Sequence, residues 1–414
     1  IVLTNRVHPD GKGNVTRLRN QIATIAASAL EPSPPEAKPT LTGLDVLERD
    51  GFAALKGRHV GLVTNHTGVD RDGRTAIDLL SKADGVTLVA LFSPEHGIRG
   101  AVDEKVDDSK DEKTGLPIYS LYGSRKKPTA ETLKGIDMLV YDIQDAGCRF
   151  YTYESTLGGV LEAATENKIA VVVLDRPNPL GGVEVEGPVL DAGRESFVGY
   201  HTLPVRHGLT IGELARLFNA ERKIGADLEV IAMENWRRGE LYDATGLRWI
   251  NPSPNLRSPL DALLYSGVGL LETTNVSVGR GTDRPFEWIG APWIDGTKLA
   301  AALAKEDLPG MRFVSCRQTP TSSTFKGQEC DGVQILVDDW SRFRPLRTGI
   351  AIACALRKLY PDEWKADAYD RLLANAATLD ALKRGATWRQ LEKGWQTELV
   401  RFTERRRAYL LYPD

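Results

Sequence analysis

Cysteine is scarce in this sequence, and the cysteines that are present form no recognisable motif. Only four of the 414 residues are cysteines, and no two of them have the C-x-x-C spacing. That spacing is the usual signature of thioredoxin-like redox centres and of structural zinc sites. Neither kind of site is therefore predicted, and the cysteines say little about the compartment.

Long apolar runs and a surplus of positive charge are also missing. Runs such as Val86–Phe92 and Ile169–Leu174 are far shorter than the roughly 20 residues that a membrane-spanning helix requires. The chain carries 53 basic and 56 acidic side chains, for a net charge of −3. Without an overall positive field, nucleic-acid binding and membrane-surface binding are disfavoured, and we expect no membrane span.

Several catalytic and cofactor motifs are absent. The sequence contains no G-x-G-x-x-G and no G-x-x-x-x-G-K-[ST], so NAD and ATP are disfavoured. It contains no G-x-S-x-G, which disfavours a serine hydrolase with a nucleophile elbow. It contains neither H-E-x-x-H nor H-x-H, although His66, Glu95, Asp142 and Asp145 could in principle ligate a metal. We expect no cofactor and no metal.

The composition that remains is that of a globular protein. Hydrophobic residues make up 42% and charged residues 26% of the chain. The proline-rich segment Glu31–Thr40 resembles a semi-rigid linker, so residues 1–40 are predicted to be a flexible leader. Because the sequence starts at Ile1, we expect an exported protein, periplasmic or extracellular, but a cytoplasmic location stays open.

From Leu44 onward, short apolar runs alternate with helix-like segments, as in parallel sheets covered by helices. The predicted strands are His59–Thr64, Val86–Phe92, Met138–Ile143, Ala170–Asp175, Leu228–Ala232 and, later, Val333–Val337. The predicted helices are Arg74–Ala83, Thr129–Lys134, Ser155–Asn167, Ile211–Ala220, Leu346–Tyr360 and Trp388–Tyr409. Thr210 and Glu213 form a capping-box pattern. The predicted fold class is α/β: a Rossmann-like parallel-sheet domain over 41–262 and a smaller α+β C-terminal domain over 263–414 that contributes to a cleft, with the boundary near Pro259–Ser266.

Polar loops follow four of the predicted strands. They cover residues 65–68, 93–97, 144–154 and 176–182. Ligands of open parallel sheets bind at the carboxyl ends of the strands, so these loops are expected to converge on one site. Glu95 is the most suggestive side chain, because a carboxyl group held between Pro94 and His96 could become partly desolvated and act as a general acid.

The residues in and after these loops suit a sugar ligand. Aromatic rings can stack on the apolar faces of sugars, while amides, carboxylates, guanidinium groups and imidazoles bind the hydroxyls. The candidate substrate-binding residues are Asn65, His66, His96, Asp145, Arg149, Tyr151, Tyr153, Arg176, Asn178, His207, Asn255, Asn275 and Arg280.

Seven motifs lie in order along the chain: NHTG at 65–68, SPEHG at 93–97, DIQDAGCRFYTY at 142–153, DRPNPLGG at 175–182, LPVRHGLTIGEL at 203–214, PSPN at 252–255 and ETTNVSVGRGTDRPF at 272–286. In these motifs the sequence resembles a bacterial family, formerly a domain of unknown function, of exo-acting β-N-acetylmuramidases in peptidoglycan turnover. The resemblance extends from about residue 44 to the C-terminus.

The resemblance implies a Rossmann-like N-terminal domain, a smaller C-terminal domain, and an active site in the cleft between them. It implies release of terminal N-acetylmuramic acid from the non-reducing end of peptidoglycan fragments, at the β-1,4 bond to N-acetylglucosamine. It also makes Glu95, within SPEHG, the family's catalytic candidate.

Glycoside hydrolysis normally requires a second carboxyl group. The candidates are Asp142, Asp145, Glu154, Asp175 and Glu272, with Tyr151 as a further possibility; Glu272 and Asp142 are assigned as catalytic together with Glu95. A cation is expected to bind the lactyl carboxylate of muramic acid, and Arg149, Arg176 and Arg280 are the candidates. Two alternatives stay open: a non-catalytic binding protein for cell-wall saccharides, and a metal-dependent amide or ester hydrolase. The oligomeric state is not predicted.

Overall fold

Five of the predicted apolar runs form strands of one seven-stranded sheet. A computed structural model describes residues 38–98 and 107–414. The predicted leader over 1–40 therefore lies outside the described residues, except for its last three. The first nine strands are β1 His59–Thr64, β2 Thr87–Ser93, β3 Ser109–Lys110, β4 Pro117–Ser120, β5 Met138–Asp142, β6 Ala170–Leu174, β7 Glu186–Val189, β8 Pro204–Arg206 and β9 Leu228–Ile231.

The order of the strands is that of a dinucleotide-binding fold. The sheet runs β3-β4-β2-β1-β5-β6-β9, and all neighbours are parallel except β3, which is antiparallel to β4. Numbered along the chain, the six parallel strands have the order 3-2-1-4-5-6. The direction of the winding changes between β1 and β5, so the loops that follow these two strands diverge and leave a crevice. The prediction of a Rossmann-like sheet is confirmed.

Both faces of this sheet are buried, which explains why its strands are continuously apolar. Along β5, the side chains of Leu139 and Tyr141 enter one core, and the side chain of Val140 enters another on the opposite face. Helices α1 Gly43–Arg49 and α2 Ala76–Leu80 contribute to the core that contains Val140. Helices α3 Thr152–Asn167 and α4 Ile211–Glu221 contribute to the other.

The ends of these helices follow from local chemistry. Helix α4 begins with the predicted capping box, in which the Thr210 hydroxyl accepts from the Glu213 backbone N–H and the Glu213 carboxylate accepts from the Thr210 N–H.

The prediction of a helix over Thr129–Lys134 is wrong, because this segment is a series of turns. Thr129 and Thr132 bond to each other's backbone there, and the segment ends at Gly135, whose φ of +76° lies in the left-handed region.

The C-terminal part contains a second, antiparallel sheet. Its elements are α5 Pro259–Val268, β10 Trp288–Ala291, α6 Gly296–Leu303, β11 Met311–Ser315, β12 Asp331–Val337, α7 Pro345–Leu359, α8 Asp370–Leu373, α9 Ala376–Lys383 and α10 Trp388–Arg406. The three strands have the order β10-β12-β11. Residues 40–414 form one compact unit, and helix α5 runs through the expected boundary at residues 262 and 263. None of the helices described is both long and apolar enough to cross a bilayer.

Candidate active site

A large cleft opens at the carboxyl edge of the parallel sheet, between this edge and residues of the C-terminal part. Its volume is about 1110 Å³, which is large enough to hold the end of an oligosaccharide. The loops of the sheet supply one wall, which includes Glu95, His96, Tyr122, Lys126, Tyr151 and Thr152. The C-terminal part supplies the facing wall, which includes Tyr265, Glu272, Arg280, Phe286, Arg371 and Leu372.

Glu95 lies in the turn that follows strand β2. His96 and Gly97 have φ angles of +70° and +73°, so the chain reverses sharply after the glutamate and presents it to the cleft. The Thr152 hydroxyl, in the first turn of α3, donates a hydrogen bond of 2.5 Å to Glu95 Oε2. Among the residues described, none donates a hydrogen bond to Oε1. One carboxyl oxygen is therefore fixed, and the other is available to a ligand.

Asn65 and Tyr153 form the support beneath this glutamate rather than the surface of the cleft. Asn65 Nδ2 donates to the Tyr153 hydroxyl at 3.0 Å, and this hydroxyl donates to the Pro252 carbonyl at 2.8 Å. The Glu95 carbonyl lies 3.4 Å from the same hydroxyl. Complete burial raises the pKa of Tyr153, so the phenol stays protonated and keeps these loops joined.

Glu272 is the second carboxyl group of the cleft. It lies in a 3₁₀ turn after α5, and its Oε1 is 2.8 Å from Nη2 of Arg280. The Arg280 guanidinium also lies 5.7 Å from the centre of the Phe286 ring. This pairing fixes the orientation of the Glu272 carboxyl group.

The cleft contains further cations, which differ in their partners. Arg194 is held by Asp370 through two hydrogen bonds of 3.0 and 2.6 Å. Lys126 Nζ lies 4.3 Å from the centre of the Tyr122 ring and 4.0 Å from that of Phe197, and burial lowers its pKa. The exposed guanidinium of Arg371 forms no ion pair with the described part of the chain.

Asp142 and Arg176 do not reach the cleft. Asp142 ends strand β5, is fully buried, and accepts from Arg176 Nε at 2.6 Å and from Nη2 at 2.9 Å. Burial raises the pKa of Asp142, although the guanidinium opposes the shift. The structure therefore places the pair inside the fold, where neither residue can meet a substrate in the cleft.

Arg149 is also structural. It is completely buried, and its guanidinium donates to the carbonyls of Pro188, Leu203, Leu372 and Leu373 at 2.6 to 3.1 Å. Burial lowers its pKa to about 10, so it keeps its charge at neutral pH. Its donors are committed to backbone, and a lactyl carboxylate cannot reach them.

Asp145 and His207 meet Glu154 in a buried cluster, with one ligand-type atom of each within 4.8 Å of the others. His207 Nδ1 accepts from the Leu209 backbone N–H, so its proton is on Nε2, which donates to Glu154 at 2.8 Å. A metal at Nε2 would compete with that proton. Burial, with repulsion from Glu154, raises the pKa of Asp145 well above its usual value.

The remaining candidates mostly stabilise loops. His66 Nε2 lies 2.7 Å from the Asn251 carbonyl, and burial lowers its pKa, so the ring is neutral and donates. Asn178 donates to the Leu209 carbonyl and accepts from the Leu180 N–H. Asn275 bonds the backbone at residues 363 and 365. Asn255 lines a separate surface groove.

The sequence prediction missed several residues that line the cleft, namely Tyr122, Lys126, Arg194, Phe197, Tyr265, Phe286 and Arg371. They come from segments between or beyond the confident strands. The short span that carries Tyr122 and Lys126 follows the four-residue strand β4, which was not predicted. The motif around 272–286 includes Phe286, and it is the one signal that could have revealed part of this group.

Two family models together match most of the chain. Exo-beta-N-acetylmuramidase NamZ, N-terminal, matches residues 60–260, and exo-beta-N-acetylmuramidase NamZ, C-terminal, matches residues 263–412. Among curated proteins, the chain is 42% identical over 398 residues to the peptidoglycan beta-N-acetylmuramidase NamZ of Bacillus subtilis (strain 168). The alignment covers 94% of this chain and 96% of the relative.

Solved structures show the same fold. A DUF1343 family protein of Bacteroides fragilis NCTC 9343 is 38% identical, with a TM-score of 0.85 over 91% of this chain and 100% of that chain. A second DUF1343 family protein of the same organism is 30% identical, with a TM-score of 0.75 over 91% of this chain and 99% of that chain.

Proposed function

Because the chain belongs to the exo-β-N-acetylmuramidase family, we propose that its cleft releases N-acetylmuramic acid from the non-reducing end of peptidoglycan fragments. The observation that supports this role is the Glu95 carboxyl group, which is fixed through one oxygen by Thr152 and open to the cleft through the other. The chain is a glycosidase by family membership.

Glu95 is proposed as the proton donor to the leaving oxygen. A glycosidic oxygen is a poor leaving group as an alkoxide, so the acid must deliver its proton as the bond breaks. The Thr152 hydroxyl fixes the orientation of the carboxyl group without occupying both oxygens. Its role is therefore to position Glu95.

Glu272 is proposed as the second carboxylate. Its pairing with Arg280 fixes its orientation, and a carboxylate is suited either to attack the anomeric carbon or to activate a water. Asp142 is not proposed for this role, because it is buried against Arg176. The configuration of the released sugar, read by NMR immediately after cleavage, distinguishes the two mechanisms.

Arg371 and Lys126 are proposed to bind the lactyl carboxylate, which distinguishes muramic acid from N-acetylglucosamine. The guanidinium groups of Arg194 and Arg280 already hold protein carboxylates, whereas Arg371 forms no ion pair with any described residue. Lys126 is held by two aromatic rings rather than by a carboxylate. The lactyl carboxylate would supply the negative charge that these two cations lack.

The two alternatives from the sequence are not favoured. The curated relative is named as a glycosidase, which supports turnover rather than binding alone, and its name implies no amide or ester hydrolysis. An exported location stays a prediction, supported by the peptidoglycan substrate of that relative.

Glu95→Gln tests the assignment with two substrates of different leaving-group quality. We expect kcat to fall by about 10²- to 10⁴-fold on a muramic-acid-terminated disaccharide, and by much less on a nitrophenyl β-muramide, because nitrophenolate leaves without protonation. Product release is measured by mass spectrometry and by absorbance.

Glu131→Gln is the matched control, since Glu131 is exposed and bonds through no side-chain atom in the described chain. It should keep full activity on both substrates. Equal losses on both substrates in Glu95→Gln, or near-normal release from the disaccharide, would show that Glu95 is not the acid.

A further inference from the structure

A second, smaller cavity lies at the carboxyl edge of the sheet, apart from the cleft. Its volume is about 180 Å³, and no residue lines both this cavity and the cleft. Thr67, which follows β1, and Gln144, which follows β5, both line it. It therefore occupies the crevice where the winding of the sheet changes direction, which is the usual ligand position of open α/β sheets.

Three arginines line this cavity, namely Arg71, Arg176 and Arg248. Arg176 is only 5% exposed, and its Nε and Nη2 are taken by Asp142 and by the Val69 carbonyl. Its Nη1 donates to no other group in the described chain. A buried arginine that lines the cavity therefore has two N–H groups without a partner in the described chain.

The other two arginines are exposed, and neither side chain is paired within the part of the chain that the structure describes. Two of the acidic groups nearby are in ion pairs. Asp70, which also lines the cavity, forms an ion pair with Arg74 at 2.5 Å, and Asp142 is paired with Arg176. Among the charged residues that line the cavity, three are arginines and one, Asp70, is a carboxylate.

We propose that this cavity is a binding site for a compact oxyanion of the phosphate class. A dianion can pair with more of the three arginines around the cavity than a monovalent carboxylate can. The volume is below the roughly 300 Å³ of small-molecule pockets, so a nucleotide does not fit and a single phosphoryl group does. The ligand is either free phosphate or the phosphate group of a monoester whose remainder extends into solvent.

Calorimetric titration of the full chain tests the site, with inorganic phosphate, glucose 6-phosphate and acetate as separate ligands. We expect one saturable site for phosphate and weak or no binding of acetate. Tighter binding of the sugar phosphate would identify a monoester, and tighter binding of phosphate would identify the free ion. The double variant Arg71→Gln/Arg248→Gln should lose at least about tenfold in affinity, because two charge-assisted contacts disappear.

Arg58→Gln is the matched control, because Arg58 is exposed and lies before β1, at the opposite edge of the sheet. It should bind phosphate as the unmodified chain does. Absence of saturable phosphate binding, or unchanged binding in the double variant, would overturn the proposal. Muramide hydrolysis in phosphate-free buffer is measured in parallel. An absence of phosphate binding can then be distinguished from an absence of the proposed enzyme activity.

Discussion

Asp175 shows how a buried carboxyl group can make the stability of the fold depend on pH. It is fully buried after strand β6, and it accepts from the Thr210 hydroxyl at 2.7 Å and the Tyr412 hydroxyl at 2.5 Å. The backbone N–H groups of Arg176 and Gly212 also donate to it. Burial nevertheless dominates and raises its pKa to about 6.

The sign of the pH effect follows from this shift. Between pH 4 and 6 the folded chain binds more protons at Asp175 than the unfolded chain does. The contribution of Asp175 to the free energy of unfolding therefore decreases as the pH rises through that range. Relative to Asp175→Asn, the unmodified chain should lose on the order of 3 kcal/mol between pH 4 and pH 7, measured by urea denaturation.

Asp84→Asn provides the control for this experiment, because Asp84 is exposed and has no side-chain partner in the described chain. Its pH profile should parallel that of the unmodified protein. If Asp175→Asn also gave a parallel profile, the carboxyl group would be ionised throughout and the pKa argument would be wrong.

Arg371 allows a sharper test of substrate recognition. If it binds the lactyl carboxylate, Arg371→Met should raise KM for a nitrophenyl muramide by about 10-fold or more, because a charge-assisted pair is lost. Cleavage of the matching N-acetylglucosaminide, which lacks the lactyl group, should be unchanged. Steady-state kinetics on both substrates decide the point, and an equal effect on both would indicate a structural role.

The individual residues show what the sequence can and cannot predict. Glu95 is predictable because the rigid turn that presents it is local to residues 93–97. The roles of Asp142 and Arg149 are not, because both are polar residues at or after the carboxyl end of a strand, like the candidates that reach the cleft. Their partners lie 34 residues away in one case and up to 224 residues away in the other. The pattern of residues along the sequence does not indicate partners at such distances.

The same distinction applies to the strands and helices. The central strands are buried on both faces, so each appears as a continuous apolar run that is easy to recognise. Strands β3, β4, β7, β8, β10 and β11 are short or lie at an edge, and they were not predicted. β11 has only partly buried and exposed residues, so it gives no clear apolar signal.

Helix α8 and the loop before α3 are joined by the buried Arg149. Its hydrogen bonds to the Leu372 and Leu373 carbonyls fix the wall of the cleft that carries Arg371. Arg149→Met leaves these carbonyls without a donor, so we expect destabilisation of on the order of 3 kcal/mol, measured by denaturant unfolding. KM for the muramide should also rise, because the position of Arg371 is no longer fixed.

Two further variants serve as comparisons. Arg149→Lys is expected to have an intermediate effect, and Arg58→Met is the control that should have none. Lysine keeps the charge and three donors, so its loss of stability should be intermediate. Arg58→Met removes an exposed arginine and should change neither stability nor KM. Full stability in Arg149→Met would mean that the carbonyls find other donors.

The N-terminal and C-terminal parts share one hydrophobic core and several buried polar links. Val173 of the parallel sheet and Ile352 of α7 belong to the same buried cluster. Arg406, at the end of α10, donates to the carbonyls of Val183, His207 and Gly208. Tyr412 donates to Asp175, which directly follows β6. Unfolding one part would therefore expose core and unpaired polar groups of the other.

Tryptophan positions provide a way to observe this coupling. All eight tryptophans lie at residue 236 or later, so their fluorescence reports mainly on the C-terminal part, whereas far-UV circular dichroism includes the parallel sheet. We expect the two melting curves to coincide and calorimetry to give one transition whose van't Hoff and calorimetric enthalpies agree. Arg406→Gln should lower both melting temperatures together, because it removes donors that join the two parts. Two separated transitions, or a shift in the fluorescence curve alone, would show that the parts unfold independently, and the cleft between them would then be free to open without loss of either core.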